Sequence, residues 1–172
     1  MASDLKSFED RLIAEMPALR RYGRVLCRDR DAAEDLLQDC VERALRRRGL
    51  WRRPGNFRAW LFRIMHNIHA NDTRWHARRP RPVVFEESHG GAEAPIQEMR
   101  AEIGEALAAF GQLGDDQRQL LVLIVIEGFS YREAARILSL PEGTVMSRMS
   151  RARERLLDVM SDRARDRVRR IK

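Results

Sequence analysis

Thr144, Ser147 and Arg148 lie at or near the start of a predicted helix whose later turns carry Arg151, Arg153 and Arg155. Hydroxyls and guanidinium groups at the start of a helix can reach the edges of bases, while cations further along suit phosphates. A bond-breaking role would need a nucleophile or metal-binding carboxylates in a cleft. No clustered acids occur near Ser130 or Ser147, which are better explained as a helix cap and a groove contact. The chemistry on offer is recognition by hydrogen bond and charge.

The elements that must position these residues lie in SYREAARILSLPEGTVMSRMSRARER, residues 130–155. Ser130 and Glu133 have the spacing of a capping box, so a first helix is predicted from Tyr131, burying Ala134, Ala135, Ile137 and Leu138. Leu140-Pro141-Glu142-Gly143 breaks the run. A second helix then turns Val145, Met149, Ala152 and Leu156 inward, at spacings of four, three and four. The pair fits a helix-turn-helix whose second helix enters a DNA major groove. An ordinary helical hairpin with a solvated basic face fits the same spacing, and the upstream sequence has to decide.

Upstream, the segment from Arg43 to Arg81 holds twelve arginines against one acid, Asp72, a local formal charge of +11. Trp51, Phe62, Trp75 and three histidines (His66, His69, His76) are interleaved with them. Charge that tracks a backbone and rings that stack bases make a single-strand binder, each stacked base contributing roughly 1–3 kcal/mol. The same stretch contains a helical stripe, Phe57, Trp60, Leu61, Ile64, Met65 and Ile68, beginning after Asn56 as a cap. Phe57 and Trp60 on that stripe read as core, Trp51 and Trp75 as exposed. His66 and His69 are three apart with no third ligand in view, so no metal site is expected.

An earlier helix carries Leu36, Leu37, Cys40, Val41, Ala44 and Leu45 on one side and Asp35, Gln38, Asp39 and Glu42 on the other. Asp31 and Glu34 have capping-box spacing ahead of it. An acidic strip in a chain of formal net charge +7 suggests a protein partner. Residues 5–27 read as helical, with Pro17 as the first turn of a second helix. Residues 78–95, RRPRPVVFEESHGGAEAP, read as a linker. From Glu86 to Glu105 six acids stand against Arg100, reversing the local sign. A helix is expected from about Ile96 to Phe110, and another from a cap at Asp115 to Glu127, ended by Gly128. The latter is apolar almost all round (Leu120, Leu121, Leu123, Ile124, Val125, Ile126) and is predicted to be the buried helix of the C-terminal half. Cys27 and Cys40, thirteen apart and without a CxxC partner, read as reduced thiols, Cys40 in a core. No apolar run approaches a membrane span and MASDLKSFEDR lacks a signal peptide's apolar segment, which points to the cytoplasm. The expected fold class is all-α: two small helical domains, 1–78 and 97–172, joined by a flexible linker at 79–96.

DRDAAEDLLQDCVERAL, then NFRAWLFRIMHNIHANDTRW, a Pro-rich linker, and DDQRQLLVLIVIEGFSYREAARILSLPEGTVMSRMSRARERL together resemble a bacterial extracytoplasmic-function (ECF) sigma factor of the sigma-70 family, over about residues 10–160. The resemblance implies a protein that binds core RNA polymerase and directs promoter-specific initiation, without cofactor, catalytic residues or membrane insertion. Its N-terminal domain would be region 2-like, docking on the coiled coil of the largest polymerase subunit through Asp35, Gln38, Asp39 and Glu42 and melting the minus-ten element. The loop from Gly49 to Asn56 would cup a flipped non-template base, with Asn67 beside it. The single-strand set this implies is Trp51, Arg52, Arg53, Asn56, Arg63, Asn67 and Arg74. The C-terminal domain would be region 4-like, meeting the flap region and reading the minus-thirty-five element as duplex through Thr144, Ser147, Arg148, Arg151 and Arg153.

One residue departs from the family pattern. Many relatives carry Arg or Lys where Met146 stands, and methionine makes no charge-assisted bond, leaving contact with a thymine methyl or simple packing. The family further implies an anti-sigma factor and a stress or envelope response. The competing function is a conventional helix-turn-helix regulator on an operator, which leaves the stretch Trp51–Trp75 unexplained.

Overall fold

The computed structural model describes residues 7–51, 56–77, 104 and 106–171, with side chains of the third helix described to 73 and of the last to 161. Among these residues there are helices and turns and no strands. Helix α1 spans Phe8–Cys27, α2 Arg30–Arg46, α3 Phe57–Ala77, α4 Asp115–Leu121, α5 Tyr131–Leu138 and α6 Glu142–Ile171. Arg48–Leu50 forms a 3₁₀ turn after α2, and Val122–Ile126 a π turn after α4. The expected linker at 79–96, the acidic run from Glu86 and both domain boundaries fall outside the described residues.

Helix α1 starts at a capping box in which Ser7 Oγ accepts from the Asp10 amide (3.0 Å) and Asp10 Oδ2 accepts from the Ser7 amide (3.2 Å). It runs unbroken through Pro17, correcting the expectation of two helices. A proline leaves the carbonyl four residues back without its helical donor. Pro17 and Ile13 lie on the exposed face, where water can serve that carbonyl. The chain then turns sharply through Arg28 in the left-handed region (φ 57°), and Asp29, extended, caps α2 by accepting from Ala32 N–H at 2.7 Å. Asp31 is therefore not the cap. Glu34 instead pairs with Arg20 at 2.8 Å. Gly23 lets α1 approach α2 closely, since a Cβ there would meet the Ala33 carbonyl at 3.3 Å.

The α2 and α3 stripes fall largely as predicted. Leu36, Leu37, Cys40, Ala44, Phe57, Leu61, Ile64, Met65 and Ile68 are buried, and Leu45 is exposed at the end of its stripe. Asn56 caps α3, its Oδ1 accepting from Ala59 N–H at 3.1 Å. Two aromatics move. Phe62, counted with the basic surface, is fully buried, its ring 5.2 Å from Tyr22 and 4.9 Å from Phe129. Trp51, expected to be exposed, is half-buried between Phe8 and Phe57 with the Arg11 guanidinium 4.6 Å from its ring. Cys27 and Cys40 are free thiols, and burial pushes Cys27 up to about 11 and Cys40 to about 12.

In the C-terminal half, Gly114 rather than Asp115 precedes the first helical residue of α4, and its amide donates to Gln117 Oε1 at 3.1 Å. Asp115 is engaged with Arg118 and Arg28 instead. The predicted all-buried helix holds for Leu120, Leu121, Val122 and Leu123 only. At Val122 the chain widens into the π turn, closed by Glu127 N–H on the Val122 carbonyl at 2.9 Å. The wider turn breaks the helical register, so Val125 and Ile126 face solvent while Glu127 turns inward. Gly128 then takes a left-handed conformation, φ 70°, which favours glycine.

The Ser130–Glu133 capping box forms as predicted, with Glu133 N–H on Ser130 Oγ (3.2 Å) and Ser130 N–H on the Glu133 carboxylate (2.9 Å). The Ser130 backbone bond, helped by the Ser130 and Asn56 side chains, holds the Glu133 carboxyl below the usual carboxylate range. A depressed carboxyl contributes stability that is present above its ordinary pKa and lost as pH falls through the folded value. Acidification below the usual carboxylate range is therefore expected to weaken exchange protection of the Ser130 amide before the buried amides of α3 respond. Amide hydrogen exchange against pH reads this out, and a Ser130 amide that keeps its protection after α3 has opened would contradict it.

Candidate nucleic-acid and polymerase interface

Helix α6 begins at Glu142, one residue after Pro141, so the break between the two helices is shorter than expected. Val145, Met149 and Ala152 are fully buried against α4 and α5, which fixes the rotation of α6. That rotation leaves Ser147, Arg151 and Arg153 exposed and Thr144 and Arg148 half-exposed. Ser147 Oγ donates to the Thr144 carbonyl at 3.0 Å, and Arg148 Nη1 reaches Asp116 at 2.7 Å. Met146 is 56% exposed, so it is not part of the core. The first turns of α6 thus present two hydroxyls and a tethered guanidinium outward, with the Met146 thioether on the other flank of the buried stripe.

A second surface forms where α2 meets α3. Arg43, Arg47, Trp60, Arg63, Ile64 and Asn67 line a pocket of about 210 Å³. This is smaller than the ~300–1,000 Å³ clefts that enclose whole small-molecule ligands, and suits a single planar group. Trp60 is half-buried, stacked on Phe57 with centroids 5.9 Å apart, so its position is set by the core while part of it stays accessible. Three arginines, Arg43, Arg47 and Arg63, share the lining with it. Of the predicted single-strand set, Arg63 and Asn67 meet here. Trp51 packs in the aromatic cluster, and Asn56 donates through Nδ2 to Glu133 at 2.5 Å. Arg52, Arg53 and the Arg74 side chain lie outside the described residues. Arg43, Arg47 and Trp60 were missed as site residues. Their signal was the i, i+4 spacing of Arg43 and Arg47 at the end of α2 and the helical spacing of Trp60, Arg63 and Asn67 on α3.

A third surface is the acidic strip. Asp35, Gln38, Asp39 and Glu42 are all exposed on α2, opposite the buried Leu36, Leu37, Cys40 and Ala44. Glu42 pairs with Arg46 at 3.0 Å on the surface. Helix α2 therefore carries the acidic strip along one side and, at its C-terminal end, Arg43 of the pocket, with Arg47 just beyond as its C-cap. Among the described residues no group of histidines, cysteines and acids is placed to hold a metal. His66 meets Tyr22 Oη at 3.3 Å, and burial lowers the pKa of His69. No helix among them is long and apolar enough to cross a membrane.

Two family models match the chain, the sigma2 domain of PhyR over residues 12–66 and sigma-70 region 4 over residues 103–156. The chain is 35% identical over 150 residues to the ECF RNA polymerase sigma factor EcfG of Rhodopseudomonas palustris, covering 87% of this chain and 83% of the relative. The chain belongs to the ECF RNA polymerase sigma factors. A second sigma factor, SigM of Mycobacterium tuberculosis, is 31% identical over 162 residues, covering 91% and 78% of the two chains. Among solved structures, the sigma factor RpoE in complex with the anti-sigma factor NepR from Bartonella quintana superposes with a TM-score of 0.75 at 35% identity, covering 91% of this chain and 98% of that one. CnrH in complex with the cytosolic domain of CnrY gives 0.63 at 25% identity, with 94% and 92% covered. As an alternative sigma factor, the protein binds core RNA polymerase and directs promoter-specific transcription initiation. The region 4 match contains the whole of α5 and the start of α6, and the sigma2 match contains α2 and the first half of α3.

Proposed function

We propose a division of labour among the three surfaces. The acidic strip of α2 docks on the polymerase's largest subunit. The pocket between α2 and α3 holds one unstacked base of the minus-ten element, and the first turns of α6 read the minus-thirty-five element as duplex. The observation that carries this is the pocket itself, a ring that can stack a base, an amide at its rim and three cations for the adjoining phosphates. Capture of one extruded base favours the open duplex, because unstacking costs only a few kcal/mol. Run-off transcription with sigma-free core polymerase on fragmented host DNA tests the reading. Discrete starts sharing two upstream elements support it. Sequence-specific duplex binding without transcription would favour an operator-binding regulator.

Arg148→Ala is expected to weaken minus-thirty-five duplex binding by about 1–2 kcal/mol. A bidentate base contact is worth roughly 1–3 kcal/mol. The exposed pair with Asp116, worth about 0–1 kcal/mol, has to open first, which places the net effect low in that range. Fluorescence anisotropy on labelled duplexes measures it, and loss of discrimination between bases distinguishes a base contact from a phosphate contact. Met146, with no charge and an outward thioether, is proposed to meet a thymine methyl, and Met146→Arg to move preference at one position toward guanine.

The protein is further proposed to be held inactive by an anti-sigma factor. RpoE and CnrH are both seen bound to other chains, and the partner of RpoE, NepR, is an anti-sigma factor. Val125 and Ile126, 58% and 61% exposed on the π turn, are apolar surface that such a partner would cover.

A further inference from the structure

Glu127 is buried, with its side chain fully shielded, yet its carboxylate partners come from the other half of the chain. Arg21 on α1 forks onto it, Nε and Nη2 each 3.1 Å from a carboxylate oxygen. Arg58 on α3 pairs with the same carboxylate and donates through Nη1 to the Glu127 backbone carbonyl at 2.8 Å. Arg58 is itself steadied by Glu15 at 3.0 Å, and its guanidinium lies 5.3 Å from the Phe129 ring. Around this clamp the two halves share an apolar seam, Phe62 against Phe129, and two outer contacts, Arg28–Asp115 and Asn56–Glu133.

A compact chain of 172 residues has a radius of gyration of roughly 16 Å. Promoter elements about 25 base pairs apart are separated by ~85 Å of duplex at ~3.4 Å per pair. The closed arrangement therefore cannot engage both elements at once. It also ties Asn56, one of the predicted minus-ten residues, to the first helix of the helix-turn-helix. The acidic strip of α2 stays exposed throughout.

We propose that Glu127, clamped by Arg21 and Arg58, is a latch that holds the free sigma factor closed, so that polymerase docking on α2 precedes the opening that lets both elements be read. This rests on the division of labour given above. The fully shielded Glu127 carboxylate makes the latch less sensitive to salt than the Arg28–Asp115 pair, which is exposed on both sides and is screened once the Debye length shrinks from about 10 Å at 0.1 M to about 3 Å at 1 M. Salt alone should leave the wild type closed, and loss of the latch should make closure salt-sensitive.

Small-angle scattering of the full chain tests this for wild type, Glu127→Gln and Arg21→Gln at about 0.1 M and 1 M salt, with helix content followed by circular dichroism. Wild type is expected to keep one radius of gyration. Both variants are expected to expand by about a quarter or more at high salt, with unchanged helix content. Run-off assays with core polymerase on a promoter should show a start-up lag shortened several-fold in the variants. Identical scattering of all three proteins at both salts overturns the latch, as does expansion of the wild type with salt to the same extent. Arg21 is half-exposed, so Arg21→Gln decides the question if Glu127→Gln fails to fold. If scattering changes as expected but no protein supports transcription, the functional reading fails while the latch stands. If all transcribe without a lag and scatter alike, the latch alone fails.

Discussion

Asp39→Arg is expected to raise the dissociation constant for core RNA polymerase by about 30- to 1,000-fold while leaving thermal stability unchanged. Asp39 is exposed in the middle of the acidic strip, three and four residues from Glu42 and Asp35, on the side of α2 away from the core. Reversing one charge within a complementary interface turns attraction into like-charge repulsion, which costs several kcal/mol. At 1.4 kcal/mol per tenfold, about 2–4 kcal/mol gives that range. The substitution also adds two positive charges to a basic chain. Binding to a promoter duplex without polymerase should therefore stay the same or tighten, most clearly at low salt. Titration of labelled core polymerase, paired with duplex titration at the same salt, separates the two. An Asp39→Arg protein that docks normally would remove the acidic strip from the interface, and one that loses duplex binding in step with docking would remove the proposed division of labour.

The features legible in the sequence were those whose causes are local. The capping box at Ser130 and Glu133, the α3 stripe and the paired faces of α2 each follow from residues within a few turns of one another, and each forms as expected. The helix caps at Asp29 and Gly114 were misplaced by one or two residues because Asp31 and Asp115 offered plausible cap chemistry. What decides a cap is where the chain leaves the preceding turn, and α1 ends at a left-handed Arg28 that no spacing rule revealed. Pro17 was read as a boundary because proline usually marks one, and only knowledge of which face is wet shows why it is tolerated. The pocket escaped for a different reason: its lining comes from two helices, and the sequence gives no register between them. Glu127 was likewise read as the end of a helix, since Arg21 lies 106 residues away.

Phe62 is the residue on which local reading and structure disagree most sharply, and Phe62→Ala is expected to destabilise the protein by about 3–5 kcal/mol. Among arginines and histidines it looked like a ring available to stack a base. In the fold it has no exposed surface and sits between Tyr22 and Phe129, with the Arg58 guanidinium 5.6 Å from its face. Truncation removes a buried ring, leaves a cavity in the centre of the core, and takes from Arg58 one of the two rings beside it. For a chain of this length that loss lowers the melting temperature by about 8–16 °C. Phe62→Leu keeps much of the buried volume and should cost markedly less. Thermal melting of the two variants, with single-strand binding measured below both transitions, separates the alternatives. A base-stacking Phe62 would show near-normal melting and weakened binding in the alanine variant. A core Phe62 gives the reverse, a large fall in melting temperature graded by side-chain volume, with binding by the pocket at Trp60 and Asn67 retained as long as the protein stays folded.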